Sequence, residues 1–130
     1  MIDGRLQEFP RLDERMWGRP HRFGFTVELF SSKGAQAIVA HDLVAGASRS
    51  WATAPGRLRS GVVFVPDSPA AGEGEGWLLA VDSDRRTSDL VVLDATRVEQ
   101  GPVARVHLPQ RIPDGFHGDW MSAATCVSGP

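Results

Sequence analysis

Cysteine is nearly absent from the chain: Cys126 is the single one in 130 residues. No intrachain disulfide and no cysteine-based zinc site can form, and a reducing compartment is the default. Long apolar runs are missing as well. Nothing approaches the roughly 18 apolar residues of a membrane-spanning helix. The opening stretch MIDGRLQEFPRLDER also has no apolar segment behind a basic start, the mark of a secretory leader. These absences predict a cytoplasmic location. They leave room for peripheral membrane contact, because an exposed apolar patch needs no contiguous apolar sequence. Excess charge of one sign is lacking too. With 14 Lys and Arg against 16 Asp and Glu there is no basic stripe to neutralise a phosphate backbone, so nucleic acid is not an expected partner.

Convincing helical periodicity is a further absence, and what is present instead alternates at strand period. Phe23, Phe25, Val27 and Leu29 interleave with polar or small residues, and Ala37, Val39 and His41 begin a second run. Further runs follow at 61–66, 76–82, 88–95 and 102–109, each bounded by Gly, Pro, Asp or Ser. WLLAVDSDRRTSDLVVLD reads as a hairpin, and SSKG at 31–34 reads as the turn between the first two strands. PDSPAAGEGEG (66–76) reads as a solvated loop within one small domain, residues 1–130. The expected class is therefore all-β, an antiparallel meander of six or seven short strands, as in sandwiches, barrels or propeller blades. Such a chain would leave unpaired strand edges, which natural proteins avoid by pairing or closure.

Chemistry-bearing residues are sparse. GEGEG at 72–76 does not meet the strand-before, helix-after requirement of a dinucleotide loop, and no GxSxG nucleophile elbow occurs. The pairs Glu73/Glu75 and Asp82/Asp84 read as solvated faces. None of His21, His41, His107 and His117 lies within four residues of another, so no local metal pair exists. His41 and His107 read as structural. His117, in PDGFHGDW, has glycines on both sides that would let the backbone pass close to something bulky. A metal or cofactor is one candidate for that neighbour, and a tight turn with a half-buried imidazole is the bland alternative.

Taken in order, the segments resemble the closing section of carotenoid cleavage oxygenases, the family that includes lignostilbene and apocarotenoid dioxygenases. LQEFPRLDER followed by GRPHRFGF resembles the family's EFPR segment and its HRYGY-like strand, with Phe23 and Phe25 where tyrosines are usual. HDLVAG resembles the next strand end, VVFVPDSPAAGEGEGWLLAV the FVPRP loop with the strand after it, and SDLVVLDA the following strand. GPVARVHLPQRIPDGFHGDW resembles the run into the terminal FHG motif, so the match extends from about Leu6 to Trp120.

The resemblance implies the last blades of a seven-bladed β-propeller with Fe(II) on its axis, held by four histidines. His117 matches the last iron ligand. Glu8 matches a glutamate that hydrogen-bonds the non-ligating N–H of an iron-bound histidine and fixes its tautomer. The intact enzyme is expected to cleave a C=C bond of an apolar carotenoid, apocarotenoid or stilbene-like substrate with O2. The isolated chain is not expected to be competent, since His21, His41 and His107 do not match the other ligand motifs. Two departures favour an alternative, a non-catalytic relic or small β-rich interaction module: Gly61 stands where GEPVFVP has glutamate, and the WLLAVDSDRR hairpin is short enough to disturb a blade.

Overall fold

The computed structural model describes residues 3–30, 34–115 and 117–126. The first sheet holds β1 (Gln7–Arg11), β2 (Phe23–Glu28), β3 (Ala37–Asp42) and β4 (Ala47–Ala52), antiparallel in that order. The second holds β5 (Leu58–Arg59), β6 (Val63–Pro66), β7 (Gly76–Ser83), β8 (Ser88–Asp94) and β9 (Pro102–His107), with β5 and β6 both paired to β7. The architecture is all-β, with one four-residue α-helix (Ala123–Cys126) and two 3-10 turns (Glu14–Met16 and Val98–Gln100) among the described residues.

Two strands escape the alternation rule for identifiable reasons. β1 contains Pro10, which cannot donate to a ladder and is tolerated at a sheet edge. β4, ASRSWA, has a single large apolar residue, Trp51. It is specified instead by the turn before it, where Asp42 Oδ1 accepts the amides of Val44 and Ala45 at 3.1 and 3.0 Å. The expected turn at 31–34 includes residues outside those described, yet β2 and β3 pair without interruption from Phe23↔Asp42 to Glu28↔Ala37.

The shortened hairpin does not disturb its sheet. β7 and β8 pair in unbroken register from Trp77↔Asp94 to Ser83↔Ser88. Their turn is closed by Asp84, whose carboxylate accepts the amides of Arg86 and Thr87, each at 2.7 Å. Those backbone bonds hold its pKa down to about 2.

One face of each sheet meets the other in a shared core. Phe25, Ile38 and Ala40 come from the first sheet, and Phe64, Leu78, Val91 and Leu93 from the second. Phe25 and Phe64 stack across the seam at 5.4 Å between centroids. At the head of β7, a β-carbon on Gly76 would fall 2.2 Å from the Val65 carbonyl oxygen, so only glycine lets these two strands close.

The loop at 66–76 is not simply solvated. Glu73 Oε1 accepts the amides of Arg22 and Phe23 at 2.6 and 2.9 Å. Gly74 (φ 77°) presses on the Phe23 ring, where a β-carbon would lie 2.6 Å from Cδ2. Arg15, anchored on buried Asp13, donates to the carbonyl of Ala71 at 3.0 Å. A polar loop was expected to face water because its composition is polar. It is drawn onto the first sheet by the unpaired amides at the start of β2, which need an acceptor.

Candidate functional site

The segment after β9 returns across both sheets. Leu108 donates its amide to the Ser88 carbonyl at 2.9 Å, Arg111 Nε to the Asp84 carbonyl at 2.9 Å, and the Ile112 amide to Ser88 Oγ at 2.8 Å. The chain then reaches β1, where Arg11 Nη2 donates to the Gly118 carbonyl at 2.7 Å. The ring of His117 lies perpendicular to that of Phe9, at 5.5 Å between centroids.

His117 is thereby exposed at the seam between the sheets rather than half-buried in a turn. It borders a cavity of about 790 Å³ whose wall includes Leu12, Trp17, Phe25, His41 and Leu43. It also borders a smaller one of about 230 Å³ next to Ser60, Val81 and Pro113. Among the described residues no hydrogen bond occupies either of its ring nitrogens. A β-carbon on Gly115 or Gly118 would meet nothing within 4 Å, so the described residues do not supply the close neighbour that the glycine spacing suggests. Phe116 lies outside the described residues.

Glu8 sits on β1 beside Phe9, paired in register with Val27, its side chain exposed and without a hydrogen bond among the described residues. His21 is exposed at the rim of the larger cavity. His41 and His107, read as structural, are both engaged by side chains. His107 Nδ1 lies 2.6 Å from Asp89 Oδ1. Burial pushes the Asp89 carboxyl up, but the bonds from His107 and Arg105 outweigh it and leave the group below the usual range.

His41 is buried on the face of the first sheet that borders the large cavity. Its Nε2 lies 2.7 Å from Gln7 Oε1 and 3.0 Å from Thr26 Oγ1, and its Nδ1 lies 2.7 Å from Ser48 Oγ. An amide oxygen can only accept, so Nε2 carries a proton toward Gln7, while the Ser48 hydroxyl can either donate to or accept from Nδ1. Burial lowers its pKa, helped by Arg5 and opposed by Asp3. A depressed histidine contributes stability that is complete above its unfolded pKa of about 6.5 and is lost as pH falls toward the folded value. Denaturant midpoints should therefore drop between pH 7.5 and 5.5, and His41→Gln should flatten that slope. An equal slope in the variant would show that other groups set it.

Among the described residues no three of His, Cys, Asp and Glu are grouped to hold a metal. The donor chemistry fits one ligand position: a single imidazole with both nitrogens unengaged, facing a cavity. It does not fit a complete site, whose remaining ligands would have to come from other segments of polypeptide.

Two antiparallel sheets packed face to face in meander order, with a returning segment at their seam, are consecutive blades of a propeller. Residues 1–122 match the profile of the retinal pigment epithelial membrane protein family, and the chain belongs to that family, the carotenoid cleavage oxygenases. It is 40% identical over 127 residues to the carotenoid cleavage oxygenase of Mycobacterium tuberculosis, covering 91% of this chain and 25% of the relative. It superposes on the crystal structure of Pseudomonas brassicacearum lignostilbene dioxygenase with a TM-score of 0.85 at 28% identity, covering 92% of this chain and 28% of that one. Cobalt-substituted Synechocystis apocarotenoid oxygenase gives 0.84 at 30% identity, with 94% and 26% covered. The chain thus spans about a quarter of the proteins it matches.

Signals for Glu8 and His117 were legible as motifs. Phe9 and Arg11 belong to the same EFPR motif as Glu8, but their contacts with residues 117 and 118 were not readable from it, because both depend on a backbone irregularity in β1 that no composition encodes.

Proposed function

We propose that the chain, residues 1–130, is the C-terminal part of the β-propeller of a non-haem Fe(II) dioxygenase that cleaves a C=C bond of a carotenoid, apocarotenoid or stilbene-like substrate. The observation that carries this reading is His117, unengaged at both ring nitrogens among the described residues and held at the blade seam beside a large cavity with apolar walls. The bound ferrous ion would supply O2 activation. His117 would give it one neutral imidazole, and Glu8, exposed on β1, would orient another iron-bound histidine contributed by an upstream blade. Leu12, Trp17, Phe25 and Leu43 would exclude water beside an apolar substrate. Exposed Trp120 and Met121 offer surface for peripheral contact with the membrane in which such substrates dissolve, from the cytoplasmic side.

A non-catalytic role is favoured by one observation: Gly61, buried two residues before β6, cannot replace the hydrogen bond of the glutamate it stands for. The two readings separate in one experiment. The full-length polypeptide containing this chain is purified, its iron content measured, and an apocarotenoid or a hydroxystilbene supplied under oxygen. The dioxygenase reading expects about one iron per chain and two carbonyl products from each alkene cleaved. An iron-free polypeptide of full propeller length that leaves both substrates intact even after ferrous reconstitution would establish the non-catalytic reading instead.

A further inference from the structure

Phe9 has φ 57°, and among the described residues it is the one non-glycine residue with positive φ. Side chains with a β-carbon rarely adopt this region, and such a conformation persists only where its surroundings over-determine it. The residue lies within an irregularity in β1, where pairing with β2 shifts between Glu8 and Arg11. A bulge of this kind re-aims side chains away from regular alternation. Here the bulge accompanies the perpendicular contact between Phe9 and His117, 5.5 Å between centroids, while Arg11 Nη2 reaches the Gly118 carbonyl at 2.7 Å. One strand therefore grips two consecutive residues of a segment whose described residues, 113–115 and 117–120, form no regular secondary structure.

A ligating imidazole is ordinarily oriented by a hydrogen bond on its other nitrogen. No such bond is present for His117 among the described residues, and rotation of an imidazole about its second torsion is soft. Resting on the reading of His117 as a metal ligand, we propose that Phe9 and Arg11 are positioning residues for it. The Phe9 ring fixes the plane of the imidazole, and Arg11 fixes the backbone that carries it. Together they present one ring nitrogen at a constant angle, the tolerance for such sites being about 10–20°.

The test uses the full-length polypeptide, with Co(II) as a spectroscopic probe alongside Fe(II). Phe9→Leu and Arg11→Met should each weaken Co(II) binding by about 10-fold, in the range seen for outer partners of metal ligands. Both should also alter the visible d–d spectrum, whereas Phe9→Tyr should keep affinity and spectrum. Phe9→Gly removes the ring yet suits the left-handed backbone. It should match Phe9→Leu in affinity while unfolding at or above the wild-type midpoint, which a merely structural role would not produce. Wild-type affinity and spectrum in Phe9→Leu and Phe9→Gly would overturn the inference. So would an affinity loss in Phe9→Leu that Phe9→Gly, with its sound fold, does not share. His117→Ala separates the two levels. If it binds Co(II) like wild type, the ligand reading itself fails; if it loses the metal while the Phe9 and Arg11 variants keep theirs, only the positioning role fails.

Discussion

Replacing His117 with alanine in the full-length polypeptide should remove iron and alkene cleavage together while leaving the fold intact. The two halves of that expectation rest on different observations. His117 is exposed, and its described contact is the ring of Phe9. Exposed substitutions of this kind change stability by about 0.5 kcal/mol or less, with up to about 1 kcal/mol more for the aromatic pair. A metal held by a small set of neutral imidazoles depends on each of them far more steeply. Loss of an outer partner costs about 10- to 100-fold in affinity or activity, and loss of a ligand should exceed that range. The measurement is iron per chain, set beside the unfolding midpoint. Iron retained at the wild-type level would remove His117 from the site and with it the proposed function of this segment. Iron lost only alongside a large drop in the midpoint would point to a folding role.

How far such expectations were readable in the sequence depended on the kind of interaction involved. Strands whose apolar residues alternate, such as β2 and β7, were legible because period 2 follows directly from the pleat. β4 was not, because its packing is carried by Trp51 alone. The motif order around EFP and FHG identified the family, but motifs state which residues recur and not how they meet. Loops were misread for a different reason. Glu73 belongs to a segment with every compositional mark of solvation, and only the tertiary position of the Arg22 and Phe23 amides makes its carboxylate a clamp. Asp82 shows the same limit more strongly: its pair with Asp84 suggested a solvated face, yet it lies in β7 with no exposed surface.

Asp82→Ala should destabilise the protein by about 3 kcal/mol or more, the largest loss expected from any single carboxylate here. Asp82 stands directly opposite Asp89 in the β7–β8 register, and like charges so placed repel. The arrangement survives because two guanidinium groups lie between them. Arg105 Nη1 is 2.9 Å from Oδ2 of both aspartates. Arg57 donates through Nη2 to the Asp82 carbonyl at 2.7 Å and to Asp89 Oδ2 at 3.0 Å. Its Nε lies 3.0 Å from Asp82 Oδ2 without hydrogen-bond geometry, so that contact is ionic only. Thr53 Oγ1 completes the set at 3.0 Å from Asp82 Oδ1. Removing Asp82 leaves Arg105 and Arg57 to share Asp89, with Asp84 Oδ2 at 3.0 Å as a further partner for Arg57 alone, and leaves a buried hydroxyl without its acceptor, each a named source of large losses. By contrast, Glu99→Ala breaks an exposed pair with Arg49 at 3.9 Å and should cost less than about 0.5 kcal/mol. A loss for Asp82→Ala within that same small range would mean the cluster is as well solvated as its sequence suggested. The cluster also bears on the site, because Ser83 and Ser88, next to the two aspartates, bond each other at 2.7 Å, and Ser88 holds the segment that leads to His117. Asp82→Ala should therefore weaken metal binding in proportion to its loss of stability, whereas His117→Ala should lose the metal with a far smaller loss of stability, and that contrast separates a residue that supports the site from one that belongs to it.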